Sequence, residues 1–203
     1  MIIVLGDYDY VAFKVLILIT IVLSAFISHV DEIAEGLEKA FSIPAFTFKH
    51  LGLVKTHAIA DATLSDEENT YPVLLFSHGL TGFRNQNTFE VEELASHGYI
   101  VVGIDHAYNA VATVYPDGRT AYLKSPNLTE SEWDDHIQLW MVDVDFVLNQ
   151  IEKLNQEDEK GLSTRHLNTS RIGMFGHSYG GATATQMLAK DARIKAAINM
   201  YGT

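Results

Sequence analysis

Arg171-Ile-Gly-Met-Phe-Gly-His-Ser-Tyr-Gly-Gly181 is the stretch from which the rest of the chain is read. Inside it, Gly176-His177-Ser178-Tyr179-Gly180 fits G-x-S-x-G, a serine carried on a sharp strand-to-helix turn. The apolar run Ile172, Met174, Phe175 predicts a buried strand, and Ala182 to Lys190 predicts a helix by residue preference. A strand that turns straight into a helix strains the serine backbone and brings the flanking segments close together, which requires glycine at 176 and 180. The expected result is a Ser178 hydroxyl projecting into a cleft, with the Tyr179 N–H at the helix start facing any charge that develops there.

Working outward, Tyr71-Pro-Val-Leu-Leu-Phe-Ser-His-Gly79 reads as a buried parallel strand entering a loop. Thr88 to His97 predicts a helix with Phe89, Val91, Leu94 and Ala95 inward and Gly98 as its stop. Tyr99 to Ile104 predicts the next buried strand. Strand, helix and strand with such short joints make a βαβ unit, so the fold class is α/β with a doubly wound, mostly parallel sheet. Ala107 to Asn127 reads as a long irregular connection with Pro116-Asp-Gly118 as a turn. Thr129-Glu-Ser-Glu132 resembles a capping box. It opens a long helix whose Ile137, Trp140, Val144, Val147, Ile151 and Leu154 form the packed stripe. Asn155 to Ser170 reads as a charged linker, and Lys195 to Met200 as a last strand and an exposed sheet edge.

The amino end differs in character. Val11 to Val30 is apolar apart from Lys14, Thr20, Ser24, Ser28 and His29. Twenty helical residues match a bilayer core, and a membrane helix over about 11–30 is expected, the domain that follows lying outside the cytoplasm. A signal peptide and a buried core helix are the rival readings. Asp31 is expected to cap a short helix with Ile33, Leu37, Ala40 and Phe41 on one stripe, ended by Pro44, and His57 to Ala62 to form an early strand. This divides the chain into 1–30, a connecting helix and loop at 31–56, and the α/β domain at 57–203.

Composition narrows the chemistry. The 203 residues carry 26 acidic and 14 basic side chains, a net charge of -12, so no basic stripe exists for nucleic acid. There is no cysteine, which excludes disulfides and thiolate metal sites, and the nine histidines contain no H-E-x-x-H spacing. No metal and no cofactor is expected.

Ser77-His78-Gly79-Leu80 ends one central strand and Gly176 to Gly180 ends another. Ligands of doubly wound sheets bind beyond the carboxyl ends of the strands, so both loops should face one cleft. The Leu80 N–H is then placed as a second oxyanion donor beside that of Tyr179. His78 reads as a loop buttress or, with Gly79, as cleft lining. His106 reads as either cleft lining or a surface histidine, and His177 should point away from Ser178.

Leu75-Phe-Ser-His-Gly-Leu80, Gly82-Phe-Arg84, Leu94-Ala-Ser-His-Gly98 and Gly176-His-Ser-Tyr-Gly-Gly-Ala-Thr183 resemble, in order and spacing, the blocks of the lipoprotein-associated type of platelet-activating factor acetylhydrolase and its bacterial relatives. The resemblance runs from about Lys55 to Thr203. It implies an α/β-hydrolase fold and metal-free hydrolysis of short acyl esters, such as a phospholipid acetyl ester, with Ser178 as nucleophile and Leu80 and Tyr179 as oxyanion donors. It also implies a triad acid after the strand that follows the nucleophile helix, where this chain has Tyr201, and a histidine further on. Tyrosine does not replace a buried carboxylate at neutral pH. The resemblance therefore points to a carboxyl-terminally incomplete member with impaired activity. A polyester- or dienelactone-type hydrolase and an inactive binding module on the same fold remain as alternatives.

Overall fold

A computed structural model describes residues 16–17, 29–59, 62–124, 129–159 and 161–201. The domain is built on a five-stranded sheet in the order β1-β3-β2-β6-β7. These strands are Leu16–Ile17 (β1), Tyr71–Ser77 (β2), Ile100–Asp105 (β3), Leu167–His177 (β6) and Ile194–Met200 (β7). A separate antiparallel pair, Ala112–Val114 (β4) and Thr120–Tyr122 (β5), folds around the Pro116-Asp-Gly118 turn, inside what the sequence presents as an irregular connection. The helices are Val30–Phe41 (α1), Thr88–Ser96 (α2), Glu130–Gln156 (α3) and Tyr179–Lys190 (α4). β2 pairs in parallel with β3 on one side and β6 on the other, and β6 with β7, so the four long strands all run the same way.

Alternation along the strands sorts the core into two layers. Val73, Leu75, Ile100, Val102, Ile104, Ile172 and Met174 face Met141, Val144, Val147, Leu148 and Ile151 of α3 and Ala184 and Met187 of α4. Phe76, Val101 and Phe175 point the other way, toward Val91 of α2. Helices thus cover both faces, as a doubly wound sheet requires. Full burial of each large aliphatic side chain contributes about 1.5–3 kcal/mol, so the stripe that α3 lays on the sheet is the main fastening of that helix. At its start, the Glu132 carboxylate accepts the Thr129 N–H at 2.7 Å, the bond expected of a capping box.

Several expectations need correction. The membrane helix expected over 11–30 falls almost wholly outside the described residues. Leu16 and Ile17 form a short strand antiparallel to β3, paired with Asp105 and Ile104. Among the described residues no helix is long and apolar enough to cross a membrane. Asp31 does not cap α1: His29 holds that position with φ 61°, and Asp31 lies in the first turn, where its charge suits the helix dipole. The described part of His57 to Ala62 is not a strand. The N–H groups of His57 and Ala58 donate to the Glu92 carboxylate at 2.8 and 2.9 Å, which replaces a strand partner. Phe89 is 78% exposed rather than inward, since α2 turns only Val91 fully into the core. β6 starts at Leu167, so the charged linker is shorter than its composition suggests. β7 does lie at the sheet edge, with Ile198 63% exposed.

Candidate active site

The turn between β6 and α4 holds Ser178 at φ 53°, ψ −120°, a left-handed conformation that costs about 1–3 kcal/mol for a residue with a side chain. Three features keep it there. The Ser178 N–H donates to Met200 O of β7 at 2.7 Å, while Gly181 N–H and Ala182 N–H donate to Ser178 O. A Cβ on Gly176 would lie 2.3 Å from the carbonyl carbon of Gly180. A Cβ on Gly180 would lie 2.2 Å from Ser77 O and 2.4 Å from His78 O. Only glycine at both positions lets strand, turn and helix approach this closely.

The two loops do meet. A Cβ built on Gly79 comes within 3.3 Å of Ser178 Cβ and 2.9 Å of His177 Nδ1. Gln86 spans them: its Oε1 accepts the Gly79 N–H at 3.2 Å, and its Nε2 donates to His177 Nδ1 at 3.3 Å. His177 is thereby turned to the 79–86 loop. Leu80 and Ser178 are half-buried at this junction. Among the described residues, neither the Leu80 nor the Tyr179 N–H donates to a protein acceptor. Tyr179 is the first residue of α4, so its N–H sits at the positive end of the helix dipole. Its hydroxyl donates to Trp133 O at 2.8 Å, and burial pushes its pKa up to about 12, so it stays a neutral anchor.

His78 and His106 are both wholly buried, which corrects the reading of either as cleft lining and of His106 as a surface residue. α3 closes over them. Trp140 stacks on His106 with centroids 3.8 Å apart at 14°, and meets His78 edge-on at 5.2 Å. His106 Nδ1 lies 2.8 Å from Asp143 Oδ2 and its Nε2 2.9 Å from Ser77 Oγ. Burial drives both members of the His106–Asp143 pair toward neutrality, lowering the histidine to about 3 and raising the carboxyl to about 8. Burial, followed by the neighbouring His106, lowers His78 to about 4. Next to them Asp105 accepts the Arg84 N–H at 2.7 Å and pairs with the Arg84 guanidinium, which straps the 82–86 loop across β3.

Ser77, Arg84, Gln86, Asp105, Trp140 and Asp143 thus belong to the surroundings of the site without having been singled out as functional in the sequence. Asp143 carries the clearest signal: it is three residues after Trp140 and four before Val147, on the buried stripe of α3, where an acidic residue needs a partner.

Residue 201 follows directly on Met200, whose carbonyl holds the Ser178 N–H, so it stands beside the turn. Tyr201 is 92% exposed, its ring 6.3 Å from that of His177. Among the described residues Ser178 Oγ has no hydrogen-bond partner. No group of His, Asp or Glu among them is arranged to hold a metal.

A platelet-activating factor acetylhydrolase of Cavia porcellus is 29% identical over 194 aligned residues, covering 83% of this chain and 44% of that protein. Cutinase est2 of Thermobifida alba is 26% identical over 132 residues, covering 65% of this chain and 35% of its own. A solved ferulic acid esterase from Streptomyces cinnamoneus superposes with a TM-score of 0.68 at 26% identity, over 94% of this chain and 54% of that one. The chain spans less than half the length of these curated relatives. The family model described as platelet-activating factor acetylhydrolase, isoform II, matches residues 29–202, and the chain belongs to that family.

Proposed function

We propose that this chain carries the nucleophile and oxyanion half of a serine carboxylic-ester hydrolase site. The observation that carries the reading is Ser178 at φ 53° on a strand-to-helix turn, packed against the 78–80 loop. Ser178 Oγ attacks the ester carbonyl and gives up its proton, and the carbonyl oxygen takes up negative charge against the Leu80 and Tyr179 N–H groups. Collapse of this adduct expels the protonated alcohol and leaves an acyl-serine, and water then releases the acid and restores Ser178. Short acyl esters are the substrate class, with phospholipid acetyl esters favoured by the family; the similarity to cutinase supports polyesters as the second choice. Proton transfer from Ser178 needs a base, and no described residue is bonded to its Oγ, so turnover is slow unless one is supplied.

The same observation, with Tyr201 at the position of the acid, supports a second reading: a binding module that keeps the pocket without the reaction. Treating the purified chain with a fluorophosphonate ester and locating the adduct by peptide mass spectrometry separates the two. The hydrolase reading expects slow phosphonylation at Ser178 that is abolished in Ser178→Ala. An adduct that persists in Ser178→Ala would sink the assignment. Membrane attachment through 11–30, with the domain outside the cytoplasm, is proposed from hydropathy alone. It expects the expressed chain to resist carbonate extraction and release from membranes when residues 1–30 are deleted.

A further inference from the structure

The buried histidines beneath the 78–80 loop form a chain of bonds whose proton positions are dictated by the backbone. His106 N–H is a donor only, and it points at His78 Nε2 at 3.2 Å, so that nitrogen must accept and carries no proton. The proton of the neutral ring is then on Nδ1, which lies 2.6 Å from Gly79 O, an acceptor only. His78 therefore donates to Gly79 O, and the Gly82 N–H donates to the same oxygen at 2.8 Å. The peptide joining Gly79 to Leu80 is planar and trans, so its C=O and N–H point in opposite directions. Whatever fixes Gly79 O also fixes the direction of the Leu80 N–H.

We propose that His78 is a positioning residue of the oxyanion site: held at Nε2 by the His106 backbone, it locks the Gly79–Leu80 peptide plane and so aims the Leu80 N–H. The inference rests on the reading of Leu80 as an oxyanion donor, and it adds the group that keeps this donor in place. His106 is held in turn by Asp143 at Nδ1, Ser77 at Nε2 and the Trp140 face. The clamp thus runs from α3, through the end of β3, to the loop after β2. Glycine at 79 makes the lock necessary, because a residue without a Cβ resists peptide rotation least.

Two substitutions divide the functions of the ring. In His78→Asn the side-chain amide nitrogen takes the place of Nδ1 and keeps the bond to Gly79 O. In His78→Gln the side-chain oxygen takes the place of Nε2 and keeps the bond from His106, but the donor to Gly79 is lost. Removal of one oxyanion donor typically lowers rate by about 10²–10³. Phosphonylation of Ser178 should accordingly fall by about 10²-fold in His78→Gln and recover most of that loss in His78→Asn. Crystal structures should show the 79–80 peptide rotated in the glutamine variant and unrotated in the asparagine variant. Equal labelling of the native chain and the glutamine variant, or an unrotated plane in the latter, would overturn the proposal. If the native chain is not labelled at Ser178, the hydrolase reading fails, and the two crystal structures still decide the positioning claim. Should either variant not fold, ring-nitrogen NMR of the unaltered chain decides: His78 with its proton on Nδ1 at neutral pH supports the clamp, and a proton on Nε2 refutes it.

Discussion

His78 makes the stability of the fold depend on pH with a sign opposite to that of an ion-paired histidine. Its ring is neutral in the folded chain down to about pH 4, whereas a histidine in an unfolded chain is half protonated near 6.5. Below 6.5 the unfolded state binds a proton that the folded state refuses, so stability falls as pH falls, until the folded pKa is reached. A full proton of difference is worth about 1.4 kcal/mol per pH unit. Between pH 6 and 5 the unfolded ring goes from roughly three-quarters to fully protonated, and the expected loss from His78 is about 1 kcal/mol. The His106–Asp143 pair adds almost nothing in that window. Folded, the pair holds one proton between its values of about 3 and about 8; unfolded, it also holds one, on the histidine. Above pH 6.5 the pair keeps a proton that the unfolded chain releases, so stability declines again toward pH 8. These three groups by themselves set a stability maximum near pH 6.5. Urea unfolding at pH 5, 6, 6.5 and 8, analysed as two-state, measures this for the native chain and for His78→Asn. The difference between their slopes from pH 6 to 5 reports His78 together with the two groups coupled to it, His106 and Asp143. Equal slopes would show that His78 is not held neutral, and the proton assignment on its ring would be wrong.

Other substitutions test the rest of the site. Gly180→Ala places a methyl group 2.2 Å from Ser77 O and should cost about 3 kcal/mol in urea unfolding while slowing Ser178 phosphonylation; a neutral result would show that the loops have room to part. Asp105→Asn leaves the Arg84 guanidinium almost buried without its anion and should cost about 3–5 kcal/mol, a loss that Arg84→Met should partly relieve in the double variant. Tyr201→Asp changes a side chain that is 92% exposed, so its effect on stability should stay within about 0.5 kcal/mol. By itself it should not raise p-nitrophenyl acetate hydrolysis, because it offers an acid while among the described residues no base is bonded to the Ser178 hydroxyl.

What the sequence made legible follows from the period of its patterns. β2, β3, β7 and the 172–175 part of β6 are short runs rich in apolar and β-branched residues, and α3 declares itself by a three- and four-residue stripe from Ile137 to Leu154, about five turns. The glycines at 176 and 180 are legible for a different reason: no side chain fits where the turn needs them. Errors fall where tertiary contacts outrank local preference. Phe89 has the right spacing to be buried, yet α2 is short and only Val91 reaches the sheet. His57 and Ala58 look extended, but a carboxylate 34 residues and more away takes their N–H groups. β4 and β5 are three residues each, below the length at which alternation can be counted.

The candidate site divides along the same line. Ser178, Leu80 and Tyr179 are found by motif because their roles depend on backbone position, which the order of strand, glycine and helix encodes locally. His78 and His106 are visible in the sequence but open in role, since the role of a histidine depends on which atoms face its two nitrogens. Those atoms come from three separate elements: the His106 N–H at the end of β3, Gly79 O after β2, and Asp143 on α3. Only the parallel register of β2 with β3, which sets Ser77 beside Ile104, brings the 77–79 and 105–106 segments together under Trp140. An acidic residue inside a buried helical stripe is the one local trace of this arrangement. Asp143 would destabilise α3 unless something polar waited on the sheet, so its presence at that spacing already calls for a buried partner, and His106 is that partner.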